Sequence, residues 1–516
     1  MATLTEEAAR SGASEPTHEG RRAVRDSLIV TVGGQLEQVL GTITAFAMRW
    51  GLDPGRLGVY TGLRPYLDNT NRSSLGVGLG AIQEIPILRA SGRAEEARRI
   101  ADVAYTTNSI TCLFYGAALL GWAAIRAPSL SGNPHAIEWT WGLVAMVAMV
   151  PLKRYQDFLI SVLRAHQEFA LTTELAVLDS LLGAAATVVG LAVAGLWGLI
   201  ASVSVLMVFN ILYLHARNPF RFRWDWDWAI ALRLMKLGLP IWANTGLYFA
   251  VLNLDRGLIL WNVPDPEAAA GLYTIALMGT GWSLDLAGRI ALVMYTYFQT
   301  TLGRTEDVAR VAEQAIRTSE AQAPILGAGA AVAYLVGPAF LGEVVPAIVP
   351  GFGRYLPGLP ALRPLLPGAV LLGLAWPARQ MLIAVNRPYR LAAAMFAALA
   401  LIAGIGTFSA RRWGIVGVAW SMTIGYAAVY AFTSLVAFRT ILGDRAWWLH
   451  QARVMADLAW YSAGAIAAAH LPLPAMNRWI DFSLRCSLLA AWVAPRLWSW
   501  GRKHRWGGLF DRARGT

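Results

Sequence analysis

Asp53-Pro54-Gly55-Arg56-Leu57-Gly58-Val59-Tyr60-Thr61 begins an apolar stretch, and its skeleton returns about 212 residues later as Asp265-Pro266-Glu267-Ala268-Ala269-Ala270-Gly271-Leu272-Tyr273-Thr274. Two further segments repeat in the same order. Gly92-Arg93-Ala94-Glu95-Glu96, with Arg99 after it, returns as Gly303-Arg304-Thr305-Glu306-Asp307 with Arg310; Gly195-Leu196-Trp197-Gly198 returns as Gly414-Ile415-Val416-Gly417. Self-similarity kept in order over so long a spacing marks a duplicated structural unit.

Around these anchors the chain is too apolar for water. Of 516 residues, 56% are hydrophobic and 15% charged, with a mean hydropathy of +0.46; soluble domains carry about 25% charged residues. Crossing the hydrocarbon takes about 20 apolar residues per helix. Stretches of that kind begin near Leu28, Leu57, Ala101, Trp139, Thr172, Leu196, Leu237, Ala268, Ala323, Leu362, Leu391 and Gly414. Two weaker ones, Val454 to His470 and Ile480 to Trp498, bring these twelve to fourteen predicted spans. Each repeat then holds six spans, an even number. Both copies enter the membrane from the same side, which predicts two lobes related by a pseudo-two-fold axis along the membrane normal.

Basic residues gather after the even spans, for example Arg89, Arg93, Arg98 and Arg99, or Arg217, Arg221, Arg223, Arg233 and Lys236. The positive-inside rule therefore places both termini in the cytoplasm. The same loops account for the net charge of +12 without a nucleic-acid partner. The first apolar stretch, Leu28 to Met48, is too long for a signal-peptide core and reads as a retained span. Cys112 and Cys486 lie far apart in apolar stretches, so no disulfide framework or cysteine metal site is expected. The expected division is a polar cytoplasmic tail (1–27), an N-terminal lobe of spans one to six (28–216), an interfacial linker (217–236), a C-terminal lobe of spans seven to twelve (237–438), and two extra hydrophobic helices with a basic tail (439–516).

Charges inside spans are the best pointers to function, because each costs about 2.5–3.5 kcal/mol at a helix centre and calls for a cavity or a partner. Arg64, Asp68 and Arg72 follow each other every four residues and would share one face of span two. Span four holds Lys153, Arg154 and Asp157, span seven Asp255 and Arg256, and span eight Asp285 and Arg289. The cations Arg64, Arg72, Lys153, Arg154, Arg256 and Arg289 are the candidate substrate-binding set. Glu37, Asp68, Asp157, Asp255 and Asp285 are the candidates for ion coupling or charge balance. Asp225-Trp226-Asp227 has the look of a glycosyltransferase Asp-x-Asp, but its alternating Trp and Arg surroundings read as a membrane-interface linker. Gly76-x-Gly78-x-Gly80 lacks the strand-turn-helix setting of a nucleotide loop and is expected to serve close packing or a hinge. No Walker motif, HExxH or Gly-x-Ser-x-Gly is present; the chain reads as a non-enzyme without a cofactor.

Arg49-Trp50-Gly51, Gly58-Val59-Tyr60, Gly76-Val77-Gly78-Leu79-Gly80 and Ile85-Pro86, then Gly238-Leu239-Pro240, Asp255-Arg256, Gly271-Leu272-Tyr273, Asn386-Arg387-Pro388 and Gly414 to Ala419, stand in this order. From Leu28 to Phe438 the chain thereby resembles the polysaccharide-export (Wzx-like) flippases of the multidrug/oligosaccharidyl-lipid/polysaccharide (MOP) transporter superfamily. The resemblance implies translocation of an undecaprenyl-diphosphate-linked oligosaccharide from the cytoplasmic to the outer leaflet of a bacterial cytoplasmic membrane, for surface polysaccharides such as lipopolysaccharide O-antigen. It implies as partners that lipid-linked substrate, membrane lipids, a coupling proton or sodium ion, and a polysaccharide polymerase with its assembly proteins. An arginine-rich cavity suits a diphosphate, which guanidinium binds in a planar, bidentate way. The alternatives are a drug/cation antiporter of the same superfamily, which would favour an acidic, aromatic cavity, and a membrane-embedded glycosyltransferase or polymerase, which would need a carboxylate pair on a large loop.

Overall fold

A computed structural model of the chain describes residues 37–503 apart from 91, 131, 166–167, 219–221 and 472–477. The tail 1–27, the start of span one, His166, Arg221 and the basic residue Arg505 lie outside the described residues. Every regular element described is helical: α1 (37–51), α2 (Pro54–Asp68), α3 (Val77–Ala90), α4 (Ala94–Arg126), α5 (Ala136–Ala165), α6 (Phe169–Arg217), α7 (Trp228–Asn262), α8 (Pro266–Thr305), α9 (Val308–Ala339), α10 (Leu362–Leu374), α11 (Trp376–Ala384), α12 (Pro388–Ser434), α13 (Asp444–His470) and α14 (Arg478–Lys503), with short 3-10 and π turns between some of them.

Seven of the described helical stretches are long and apolar enough to cross a membrane, fewer than the fourteen expected. The difference arises partly because α6 and α12 each hold two spans. In α6 the backbone leaves helical geometry at Ala194 and at Gly195 (φ 55°, ψ −127°). Gly183 faces Leu206, Ser202 Oγ donates to the Ala186 carbonyl (2.7 Å), and Gly190 meets Gly198. Contacts that converge on residue 194 in this way define an antiparallel hairpin with almost no loop. In α12 the turn is at Gly414 (φ 57°, ψ −139°), with Gly425 on Ile402, Gly406 on Ser421 and Gly417 on Ser409. The repeat read from Gly195-x-x-Gly198 and Gly414-x-x-Gly417 is thus a repeat of backbone geometry. Both turns need a glycine for their positive φ, and a Cβ on Gly198 or Gly417 would strike the facing helix of the hairpin at Gly190 or Ser409.

Span two is not one helix. After Asp68 the chain passes through a 3-10 turn, Thr70–Ser74, and two left-handed residues, Leu75 (φ 49°) and Gly76 (φ 87°), before α3 begins. Gly76 and Gly80 abut the backbone of Gly238 and Leu234 on α7, an approach that any side chain would block. Arg72 therefore does not continue the α-helical face of Arg64 and Asp68; the four-residue spacing assumed an unbroken helix.

The chain packs as two compact units, one of Met1–Gly51, Leu67–Ile125 and Leu143–Leu239, the other of Leu52–Tyr66, Arg126–Gly142 and Pro240–Thr516. In the first, Val77, Ala81 and Ile85 of α3 pack on Ile100 and Ala104 of α4, Phe158 and Val162 of α5, and Leu234 of α7. In the second, the extra C-terminal helices lie against α9: Ala328, Ala331 and Leu335 meet Tyr461, Ala465 and Ala468 of α13 and Leu489 and Val493 of α14.

Candidate functional site

The first unit gathers three of the predicted cations. Arg154 on α5 is 5% exposed. Its Nη1 donates to the Thr70 carbonyl (3.1 Å) and its Nη2 to Asn108 Oδ1 on α4 (2.6 Å). Thr70 opens the turn that carries Arg72, so Arg154 pins that turn and holds the half-buried Arg72 beside Tyr115. Lys153 Nζ donates to Asp157 Oδ1 at 2.7 Å, one helical turn along, which balances the lysine within α5. Arg154 positions the turn, and Arg72 sits half-buried within it.

In the second unit Arg64 is exposed and its Nη1 donates to Tyr60 Oη (3.4 Å). Asp255 on α7 is fully buried. Its Oδ1 accepts from the Arg256 amide (2.7 Å), while Oδ2 is buried with no hydrogen-bond partner among the described residues. Tyr273 and Tyr426 lie within electrostatic range of it. Arg256 donates to Asn253 Oδ1. Asp285 on α8 is exposed and faces Arg289 one turn on. Glu37 and Asp68, both in the candidate charge-balancing set, are exposed.

One buried cation was not singled out in the sequence. Arg379 on α11 is 7% exposed, and its guanidinium carbon lies 4.2 Å from the centroid of Tyr248 on α7 and 4.6 Å from that of Trp376. The two rings meet edge to face at 5.2 Å. Cation–π contacts of this kind contribute about 0.5–2 kcal/mol each, comparable with the about 2.5–3.5 kcal/mol that an arginine costs inside a membrane helix. A tryptophan three residues ahead, in Trp376-Pro377-Ala378-Arg379, is the signal that marks it in the sequence.

Four of the five odd-numbered connections of the first ten predicted spans meet in the second unit. Glu267, 6% exposed, accepts from Trp139 Nε1 and Asn133 Nδ2, each at 2.9 Å. Tyr355 Oη donates to the Leu52 carbonyl (2.9 Å), and Arg56 pairs with Glu138 (3.4 Å). Gly58 packs on the Glu267 carbonyl and Gly271 on that of Pro54. The two copies of the opening motif thus cross reciprocally, as residues flanking a two-fold axis do. On the even side, Arg99 donates to Asp225 (3.2 Å) and Asp227 (2.9 Å), and Asp102 and Thr106 accept from the Arg223 and Asp225 amides. Both carboxylates of the Asp-x-Asp are engaged by one arginine that ties the linker to α4. Among the described residues no group of three or more His, Cys, Asp or Glu is placed to hold a metal ion.

The family described as polysaccharide biosynthesis protein matches residues 90–350, just over half of the chain. No curated protein matches the sequence. Among solved structures, the lipid II flippase MurJ in an inward closed conformation is similar with a TM-score of 0.63 at 12% identity, covering 93% of this chain and 99% of that one. An inward-facing MATE-family multidrug resistance transporter of the MOP superfamily is similar at 0.59 and 15% identity, covering 84% and 98%. A MOP-superfamily transporter from Pyrococcus furiosus is similar at 0.54 and 13% identity, covering 86% and 96%. At such identities the likeness is one of fold, the two-lobed all-helical architecture predicted from the repeat. The chain belongs to the polysaccharide biosynthesis protein family and carries it on the fold of the MOP-superfamily transporters.

Proposed function

We propose that the protein is a flippase that moves an oligosaccharide linked to undecaprenyl diphosphate from the cytoplasmic to the outer leaflet of the bacterial cytoplasmic membrane, with both chain termini in the cytoplasm. The observation that carries this reading is the cluster of Arg72, Lys153 and Arg154 among apolar helices, in a chain of the polysaccharide biosynthesis family. A bound diphosphate would offset the cost of keeping such cations in a membrane, and arginine suits it through paired hydrogen bonds. Shared fold with a protein named as a lipid II flippase supports a lipid-linked substrate. The knot around Glu267 then serves as the outer gate, which parts as the lobes rock and the cytoplasmic side closes. Asp255, a buried carboxylate with one oxygen unpartnered, is the residue best suited to take up a coupling proton or sodium ion. A polymerase and its assembly proteins would receive the product.

The test is leaflet-resolved accumulation of undecaprenyl-linked glycan in a flippase-deficient bacterial host. Wild-type protein is expected to restore outward exposure. Arg72→Ala, at matched membrane levels, is expected to lower it at least about tenfold, the loss of one charge-assisted hydrogen-bonding group. Restoration undiminished in Arg72→Ala would remove the cationic cluster from the mechanism. No restoration by well-inserted wild type with a panel of glycans would remove the flippase reading.

A further inference from the structure

Three arginines are buried among the described residues, Arg49, Arg154 and Arg379. Two of them direct their terminal nitrogens at protein acceptors: Arg49 Nη1 donates to the Ala45 carbonyl (2.6 Å), and Arg154 donates to Thr70 and Asn108. Arg379 is different. Among the described residues its side chain donates no hydrogen bond and forms no ion pair, whereas the enclosed Nε without a partner is common to all three. Its neighbours are the rings of Tyr248 and Trp376, both half-buried. Asp285 lies within electrostatic range of Tyr248 but faces Arg289 on its own helix.

We infer that Arg379 anchors an oxyanion-binding site in the second unit, taking a phosphate or carboxylate of a ligand beside the packed rings of Tyr248 and Trp376. The rings cover the guanidinium carbon and satisfy its charge in part, but a ring face is only a weak acceptor for the five N–H groups that the fork carries. What remains is the hydrogen-bonding edge, and the group that matches it is a planar pair of oxygens. Apolar walls strengthen such a pairing by excluding water. The packing also fixes the arginine before a ligand arrives. Tyr248 comes from α7 and Trp376 from the start of α11, and Gly288 of α8 lies against the Trp376 ring, so three helices hold the arginine in place. The identity of the ligand as the transported lipid diphosphate rests on the flippase reading; the oxyanion site does not.

Full-length protein in phosphatidylcholine nanodiscs is titrated calorimetrically with farnesyl diphosphate, farnesol, inorganic pyrophosphate and glucuronate. Farnesyl diphosphate is expected to bind and farnesol to fail. Arg379→Met and Arg379→Lys are each expected to weaken anion binding by about tenfold, since lysine keeps the charge and loses the fork. Tyr248→Leu, which keeps the arginine and removes one wall, is expected to weaken it less. Arg363→Met removes an exposed arginine stacked on Tyr334 and is expected to change nothing. Pyrophosphate competition assigns the oxyanion to a phosphate and glucuronate competition to a sugar carboxylate; either supports the site. Unchanged affinity for both anions in folded Arg379→Lys and Tyr248→Leu overturns it. Oxyanion binding without glycan export would sink the flippase reading alone.

Discussion

Arg154 shows how one side chain converts a tertiary contact into a local shape. Its two donors bridge the Thr70 carbonyl and Asn108, so the 3-10 turn that presents Arg72 is held from α4 and α5 together. Asn108→Leu removes one acceptor from a buried guanidinium and is expected to cost about 1–3 kcal/mol. Arg154→Met in the same background should then cost much less than it does alone, because the orphaned group is gone. Thermal unfolding of the purified variants measures both, and strictly additive effects would show that the two residues act independently. The partners of such charges are what the sequence withholds. Arg64, Asp68 and Arg72 look like one helical face because periodicity presumes an unbroken helix, while the α-helix ends at Asp68 and Arg72 lies in the 3-10 turn that follows, which Arg154 holds from far along the chain. Arg379 went unmarked because a lone arginine near the end of an apolar stretch reads like one that reaches out to water.

At the level of elements, hydropathy locates the helices because lipid forces every backbone group to be satisfied within its own segment. It does not reveal that two spans are joined by a turn of one or two residues. The tight hairpins of α6 and α12 depend on backbone conformations that only glycine adopts without strain, Gly195 at φ 55°, ψ −127° and Gly414 at φ 57°, ψ −139°. Gly195→Ala and Gly414→Ala are each expected to lower stability by about 1–3 kcal/mol, and the double variant by the sum, since an added Cβ at either turn meets nothing within 4 Å. Gly404→Ala, at an open position within α12, should be neutral or slightly stabilising. Retention times and melting curves of the four variants in detergent decide this, and equal behaviour of Gly195→Ala and Gly404→Ala would mean that the turn is easily rebuilt.

Across the whole molecule, the reciprocal crossing of Gly58 on Glu267 and Gly271 on Pro54 brings the two copies of the opening motif face to face, and the acceptor Glu267 fastens Asn133 and Trp139 beside them. The sequence carries the duplication plainly, but not that its copies meet. If this knot is a gate, fixing it must stop transport. Asn133→Cys with Glu267→Cys, in a background where Cys112 and Cys486 are serine, provides the test. A short reducible cross-linker is expected to abolish glycan export and a reductant to restore it. Export that continues through quantitatively cross-linked protein would show that the knot stays closed throughout the cycle. The paired turns of α6 and α12 also speak to descent. A duplicated half inherits its hinge twice, and each copy then faces mutation alone, with no partner across the repeat to compensate for a lost glycine. Relatives in this family are therefore expected to retain glycine at the counterparts of both 195 and 414 while the apolar residues around them drift freely.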